Sequence, residues 1–290
     1  MQLVANIVVL TAIYALISCG YVLIYRVSRV LSLAHGELMM VGAYLLLSTA
    51  SAFGGHPFVA IAFAALLSAC VGVLVYVLLM RKMTGEMVLA AVLSTIALGI
   101  ALRGALILVY TPQQQYPLQA LGLDNPSILL FGDARISAVS LLLVGLTAAT
   151  YLGLWLFLRF TAYGICMRAA GQNPLLAAQR GIRLHAMFAL AWALATFTGG
   201  VAGMLIAADS GLDATMATVG LKAFPAALVG GLDSLLGALL GSLTVAAAEV
   251  LLIHYVDPLL ADVVPFLVLT AMLIVRPWGY FGSREELDRV

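Results

Sequence analysis

Residues Leu3–Tyr25 read LVANIVVLTAIYALISCGYVLIY, a run without a single charged side chain. An α-helix rises about 1.5 Å per residue, so about twenty apolar residues cross the roughly 30 Å hydrocarbon layer of a bilayer. The run is too long for the core of a signal peptide and no charged leader precedes it, so it is expected to remain as a membrane span. Arg26 and Arg29 follow it directly. Lys and Arg collect at the cytoplasmic ends of spans, which places the N-terminus outside.

The same pattern recurs outward from this stretch. Hydrophobic residues make up 64% of the chain and charged residues 9%, against about a quarter charged in ordinary soluble domains. Spans are expected at about 3–25, 32–53, 57–80, 87–110, 136–158, 186–208 and 258–276, with an interrupted region from 220 to 254. The predicted fold class is therefore an all-α polytopic membrane protein: about eight transmembrane helices plus a short broken or re-entrant helix. It forms one domain over 1–290, with a short cytoplasmic tail at 277–290. Arg81 and Lys82 follow the third span, and Arg276, Arg284 and Arg289 follow the last. Thr111 to Arg135 is rich in Gln, Pro and Asp, as an external loop would be. With a net charge of +1 and basic residues dispersed among loops, no nucleic-acid surface is expected. Cys19, Cys70 and Cys166 have no pairing or metal-like spacing.

Two places break the apolar pattern. Leu221 to Val229 is too short to span as a helix; Pro225 interrupts it and Gly230-Gly231 ends it. Asp233 or Ser234 then reads as the N-cap of a full helix to about Ile253. A half-helix, a glycine turn and a full helix is the preferred reading, and one long kinked helix is the alternative. The second place, Ser32-Leu33-Ala34-His35-Gly36-Glu37, puts an imidazole, a glycine and a carboxylate at the start of a span. Intramembrane ionisable groups usually face a bundle interior or a wet path, and discontinuous segments in two halves of a transporter mark its pathway. His35, Gly36, Glu37, Phe224, Pro225, Gly230 and Gly231 are thus candidate path residues. The plainer reading of His35 and Glu37 is hydrogen bonding to helix ends near the cytoplasmic interface.

Other polar positions read as structural. Glu249 and Arg103 lie inside apolar runs and are expected to be a structural pair or satisfied interior charges rather than catalytic groups. Asp209 and Asp213 flank Gly211 in what reads as a solvated turn. Gly199-x-x-x-Gly203 and Gly237-x-x-x-Gly241 permit close helix packing, a common and weak signal. Tyr25, Tyr110, Trp278 and Tyr280 read as an interfacial belt.

From Arg159 to His185 the chain is basic, with four arginines and no acidic residue. Within it lies Asn173-Pro174-Leu175-Leu176-Ala177-Ala178-Gln179-Arg180-Gly181. Asn is a favoured N-cap, Pro suits the first helical position, and Gly suits the residue past the C-terminus. A stiff capped helix in a cytoplasmic loop suggests a docking element. Meanwhile no G-x-x-x-x-G-K-[ST] phosphate loop, HExxH zinc signature, serine elbow or cofactor fingerprint occurs in the chain. Any uphill transport would draw its energy from an ion gradient or another polypeptide, and the capped loop favours the polypeptide.

Ser18-Cys19-Gly20-Tyr21-Val22-Leu23-Ile24-Tyr25-Arg26-Val27 and Leu31 to Tyr44, with its Leu33-Ala34-His35-Gly36-Glu37, resemble the N-terminal part of branched-chain amino acid ABC-transporter permeases. The likeness is to the first of their two permease types. Arg168-Ala169-Ala170-Gly171-Gln172-Asn173-Pro174 through Gly181-Ile182 resembles the family's cytoplasmic loop. Gly220 to Ser234, with Gly237-Ala238-Leu239-Leu240-Gly241, supplies a third block. The resemblance implies a non-enzymatic permease subunit of an importer for aliphatic amino acids in a bacterial inner membrane. Its partners would be a second permease, two cytoplasmic P-loop ATPases and a periplasmic or extracellular solute-binding protein, with no cofactor in this subunit. Arg168, Asn173, Pro174, Leu175, Leu176, Arg180 and Gly181 would belong to the segment that couples to one ATPase. Asn173 stands where the family often has Asp, which keeps the cap and drops a charge. Pro225 stands where a small residue is usual. The competing readings are a permease of the same type for urea, short amides or other amino acids, and an ion-coupled secondary transporter. More remote is an intramembrane enzyme using His35 and Glu37.

Overall fold

The computed structural model describes residues 1–53, 55–129 and 135–282. The chain is an all-α polytopic membrane protein. Its helices are α1 (Gln2–Ser28), α2 (His35–Ala52), α3 (Pro57–Met83, with a π-helical stretch at Tyr76–Met80), α4 (Val88–Tyr110), α5 (Ala138–Phe160), α6 (Ala162–Gln172), α7 (Pro174–Gln179), α8 (Leu184–Ser210), α9 (Ala217–Gly230), α10 (Leu235–Tyr255) and α11 (Val264–Val275). Among the described residues, six helices are long and apolar enough to cross a bilayer: α1, α3, α4, α5, α8 and α10. Helices α9 and α11 are apolar but shorter. One small hairpin pairs β1 (Ser127–Leu129) with β2 (Arg135–Ser137), antiparallel, Ile128 opposite Ile136.

Helices α1 and α8 form the buried axis, and α3, α4 and α5 expose most of their surface. Helix α1 packs on α5, α8, α9 and α10, while α2 sits between α3, α4, α8 and α9. Lipid is as apolar as leucine, so what brings helices together here is close packing at small residues. Gly42 of α2 and Gly200 of α8 meet backbone to backbone, and a Cβ on Gly203 would strike the Met39 carbonyl. Gly237 and Gly241 of α10 lie against the Gly230 backbone of α9. Both glycine spacings noted in the sequence therefore sit at helix contacts.

Several boundaries differ from expectation. The second span starts at His35 rather than residue 32, because Leu33-Ala34 forms a turn whose Leu33 N–H donates to Thr95 Oγ1 at 3.1 Å. The fifth starts at Ala138, since Arg135–Ser137 is taken up by the hairpin and Ser137 caps the helix by accepting from Ser140 N. The last is divided: Asp257 caps a 3₁₀ turn, Pro258–Asp262, before α11 begins. Region 220–254 resolves as a short helix, a glycine turn and a full helix, which sets aside the single kinked helix. Helix α9 begins four residues earlier than Leu221, ends at Gly230, and turns through Gly231 at φ 96°, a value L-residues avoid. Ser234, not Asp233, is the N-cap, accepting from Gly237 N at 3.0 Å. The proposed tail is described only as far as residue 282, so Arg284 and Arg289 lie outside the described residues. Its first part folds back, with Tyr280 N donating to the Val229 carbonyl and Phe281 N to the Gly230 carbonyl.

Candidate functional site

The two interrupted segments meet in the middle of the bundle. Gly36, in the first turn of α2, lies against the Gly220 backbone of α9, so close that a side chain on either would collide with the other. One residue earlier, the fully buried His35 ring packs against Gly20 of α1 and Gly199 of α8. Tyr21 joins these elements. Its ring meets His35 edge-on at 4.7 Å between centroids and Phe224 at 5.5 Å, and its hydroxyl donates to the Gly220 carbonyl at 3.1 Å. Glu37, two residues past His35, points to a different neighbour, with its carboxylate against Gly99 of α4. Positions two apart on a helix face different sides, and here the imidazole faces α1 and α8 while the carboxylate faces α4.

Pro225 lies inside α9 and is buried. A helical proline removes a backbone donor and leaves a carbonyl of the preceding turn short of a partner. In a membrane such groups are satisfied by neighbouring side chains. The carbonyl so freed is that of Leu221, and on either side of it helix α1 adds hydroxyl donors: Tyr21 to the Gly220 carbonyl and Ser18 Oγ to the Ala223 carbonyl at 2.9 Å. The broken helix is thereby held to α1 by hydroxyl groups, while Gly230 and Gly231 hold its other end against α10 and Gly282.

Below this cluster a charged set fixes α9 further. Lys222 Nζ lies 3.3 Å from Glu249 Oε1 and 2.6 Å from Asp262 Oδ1, and Tyr14 donates to Glu249 Oε2 at 2.5 Å. Glu249 is thus a satisfied interior charge, as expected, but its partner is Lys222 and not Arg103, whose Nε is buried without a hydrogen-bond partner among the described residues. Asp213 caps the turn Ala214–Met216 as expected of a solvated turn. Asp209 instead accepts from Asn125, Ser137 and Ser140, which ties the long loop to the ends of α5 and α8.

At the basic end of the bundle the segment 159–185 holds two helices, one more than the sequence suggested. Thr161 caps α6, accepting from Gly164 N at 3.0 Å. Asn173 caps α7, accepting from Leu176 N at 3.0 Å, with Pro174 at its first position. The far end closes as the glycine predicts: Ile182 N donates to the Ala177 carbonyl across Gly181, whose φ is 82°. Leu175 and Leu176 are 71% and 56% exposed, whereas Ala177 is buried. Helix α7 therefore presents two leucines outward beside the exposed Arg180. Arg168 does not join them. It lies on α6 in a cleft with Arg26 and Arg159.

The loop is anchored to α1. Gly171, at the end of α6, abuts the Arg26 carbonyl, and Arg29 donates to the Gly171 carbonyl at 3.1 Å while its other nitrogen pairs with Asp233 at 2.8 Å. The sequence reading passed over Tyr21, Ser18 and Lys222 as site members. Each is a polar side chain inside an apolar run, a signal the sequence carries, but that Ser18 and Tyr21 meet α9, and that Lys222 of α9 meets Glu249 and Asp262, appears only in three dimensions.

Residues 3–273 match the family model described as branched-chain amino acid transport system / permease component. The chain is 28% identical over its whole length to the high-affinity branched-chain amino acid transport system permease protein BraD of Pseudomonas aeruginosa, covering 98% of that protein. It is also 28% identical to the corresponding permease LivH of Escherichia coli K12, covering all of this chain and 97% of that one. A probable branched-chain amino acid transport permease of Methanocaldococcus jannaschii is 27% identical over 95% of this chain and 90% of its own. Among solved structures, PsaBC from Streptococcus pneumoniae in complex with Fab aligns at a TM-score of 0.45 and 16% identity, covering 95% of this chain and 91% of that one.

Proposed function

The chain belongs to the family of branched-chain amino acid transport system permease components, and from that membership we propose that it is the permease subunit of an ATP-driven importer of aliphatic amino acids. It forms the path with a second permease, two cytoplasmic ATPases supply the energy, and a binding protein delivers the solute from outside. The observation that carries this reading is the family match over residues 3–273 joined to a capped, leucine-bearing helix at the basic end.

The coupling route follows from the contacts. An ATPase groove takes Leu175 and Leu176 of α7. Force on α7 passes to α6, whose Gly171 is wedged on Arg26 and held by Arg29. Helix α1 then moves as a rigid rod, and Tyr21 shifts against Gly220, Phe224 and His35. Packed helices exchange between discrete arrangements rather than deforming smoothly, so a small displacement at α7 switches the meeting point of α2 and α9. That junction is closed in this structure, with His35 fully buried, and in the proposed cycle it opens. Phe224 and the surrounding apolar residues suit an aliphatic side chain. Glu37 and the carbonyls about Pro225, all acceptors, suit the ammonium end of an amino acid.

Ala177→Pro tests the coupling. It removes the Ala177 N–H bond to the Asn173 carbonyl, at 3.0 Å, and crowds the first turn of α7. Membrane insertion and subunit assembly are expected to persist while uptake and solute-stimulated ATP hydrolysis are lost. Uptake at the unmodified rate would refute the assignment of α7 as the coupling helix.

A further inference from the structure

At the basic end a cleft of about 440 Å³ opens between α1, α5, α6 and the start of α10. Arg26, Arg159 and Arg168 line it, together with Asp233 and Ser234. Asp233, engaged by Arg29 at 2.8 Å, is the one carboxylate among these lining residues and stands against three arginines. Among the described residues none of the three has a carboxylate within ion-pair distance, and the Arg168 Nε is buried without a hydrogen-bond partner. Ser234 and Leu235 bring the N-terminus of α10 to the same space, adding the positive end of a long helix. Like charges so grouped repel one another, and an anion with several acceptor oxygens relieves the repulsion.

The wall above the arginines is apolar and open. Trp155 of α5 and Leu236 of α10 line the cleft and are exposed, and Leu152 and Leu156 of α5 and Leu240 of α10, also exposed, continue along the same helices beyond it. Arg159 stacks on Trp155 at 5.2 Å, which holds its guanidinium at the boundary of the apolar wall and the polar floor. A ligand fitting both parts carries a phosphate and hydrocarbon chains. We propose that this cleft binds the phosphate of an anionic phospholipid, with its acyl chains lying along the α5 and α10 faces. Basic pockets between helices at the cytoplasmic side take such headgroups. The site is separate from the junction of α2 and α9 and does not depend on which solute is carried.

The test uses the chain purified with its accompanying subunits and reconstituted with a photoreactive phosphatidylglycerol, adducts being mapped by mass spectrometry. Adducts are expected on residues 152–160 and 234–240. Arg26→Gln with Arg159→Gln should reduce them by about tenfold or more, given the surface attraction lost with each arginine. Arg81→Gln, which removes a charge outside the cleft, should leave them unchanged. Monodisperse elution and an unaltered melting profile establish that the double variant is folded. Should it fail to fold, the adduct map of the unmodified protein still decides: adducts confined to other segments overturn the proposal. Labelling that millimolar inorganic phosphate abolishes would assign the cleft to a free anion and overturn the lipid. Equal labelling of the double variant would overturn it as well.

Discussion

Gly36 shows what a single position controls. A Cβ there would come within 2.7 Å of the Ala217 carbonyl oxygen and 3.3 Å of Gly220 Cα, both backbone atoms that cannot swing away. Overpacking of this kind costs about 1–3 kcal/mol. Gly36→Val is therefore expected to lower the melting midpoint of the purified protein, while Gly145→Ala, at a site with nothing within 4 Å, leaves it in place. Equal midpoints for the two would mean that α2 and α9 do not approach as closely as described. Lys222 is the second such position. Lys222→Met strands Glu249 in the bundle, and removing one partner of a buried pair costs about 3–5 kcal/mol. Adding Glu249→Gln removes the stranded charge, so the double variant should recover most of the lost stability. A double variant no better than Lys222→Met alone would show that the pair is not the cause.

Elements carry their own signals, and these were legible to different degrees. The ends of α7 were fully readable, because Asn173, Pro174 and Gly181 act through local hydrogen bonds and φ preferences that tertiary packing did not override. Helix α6 was not expected, although Thr161 supplies its cap, because its packing on α1 through Gly171 depends on a distant segment. The glycine turn of the 220–254 region was readable for the same reason as α7, while the choice of Ser234 over Asp233 was not. Asp233 is drawn to Arg29, more than two hundred residues earlier, and so the neighbouring serine caps α10. Ser234→Ala should cost about 0.5–2 kcal/mol, seen as a lower melting midpoint, and Ser234→Asn should restore it. An alanine variant as stable as the unmodified protein would indicate that the cap at Gly237 contributes nothing.

For the whole molecule, the arrangement sets one energetic expectation. The chain holds no nucleotide-binding loop, and Leu175, Leu176 and Arg180 are among its outward features at the basic end. Uptake by cells or vesicles should survive a protonophore and sodium removal, and should stop when the ATP-binding lysine of the partner ATPase is replaced. Uptake that collapses with the ion gradient and persists without ATPase would instead establish a secondary transporter. Polar groups at the opposite end already join distant segments: Gln115 pairs with Leu212, and Asp209 with Asn125 and Ser137. That loop set is tied to the end of α8 by these hydrogen bonds.

By itself the sequence determined the membrane class, the approximate number and rough extent of the apolar helices, the break at Pro225 and Gly231, and the capped helix at 173–181. All of these follow from local physics: apolar length against bilayer thickness, missing backbone donors and preferred φ. Only the tertiary structure decided that Gly36 abuts Gly220, that Tyr21 and Ser18 supply donors beside Pro225, that Lys222 and not Arg103 serves Glu249, and that Arg168 turns into a cleft away from Leu175. Within lipid, apolar burial does not sort one helix face from another. Helix partners are therefore chosen by small residues and by a few hydrogen bonds between segments far apart in the chain.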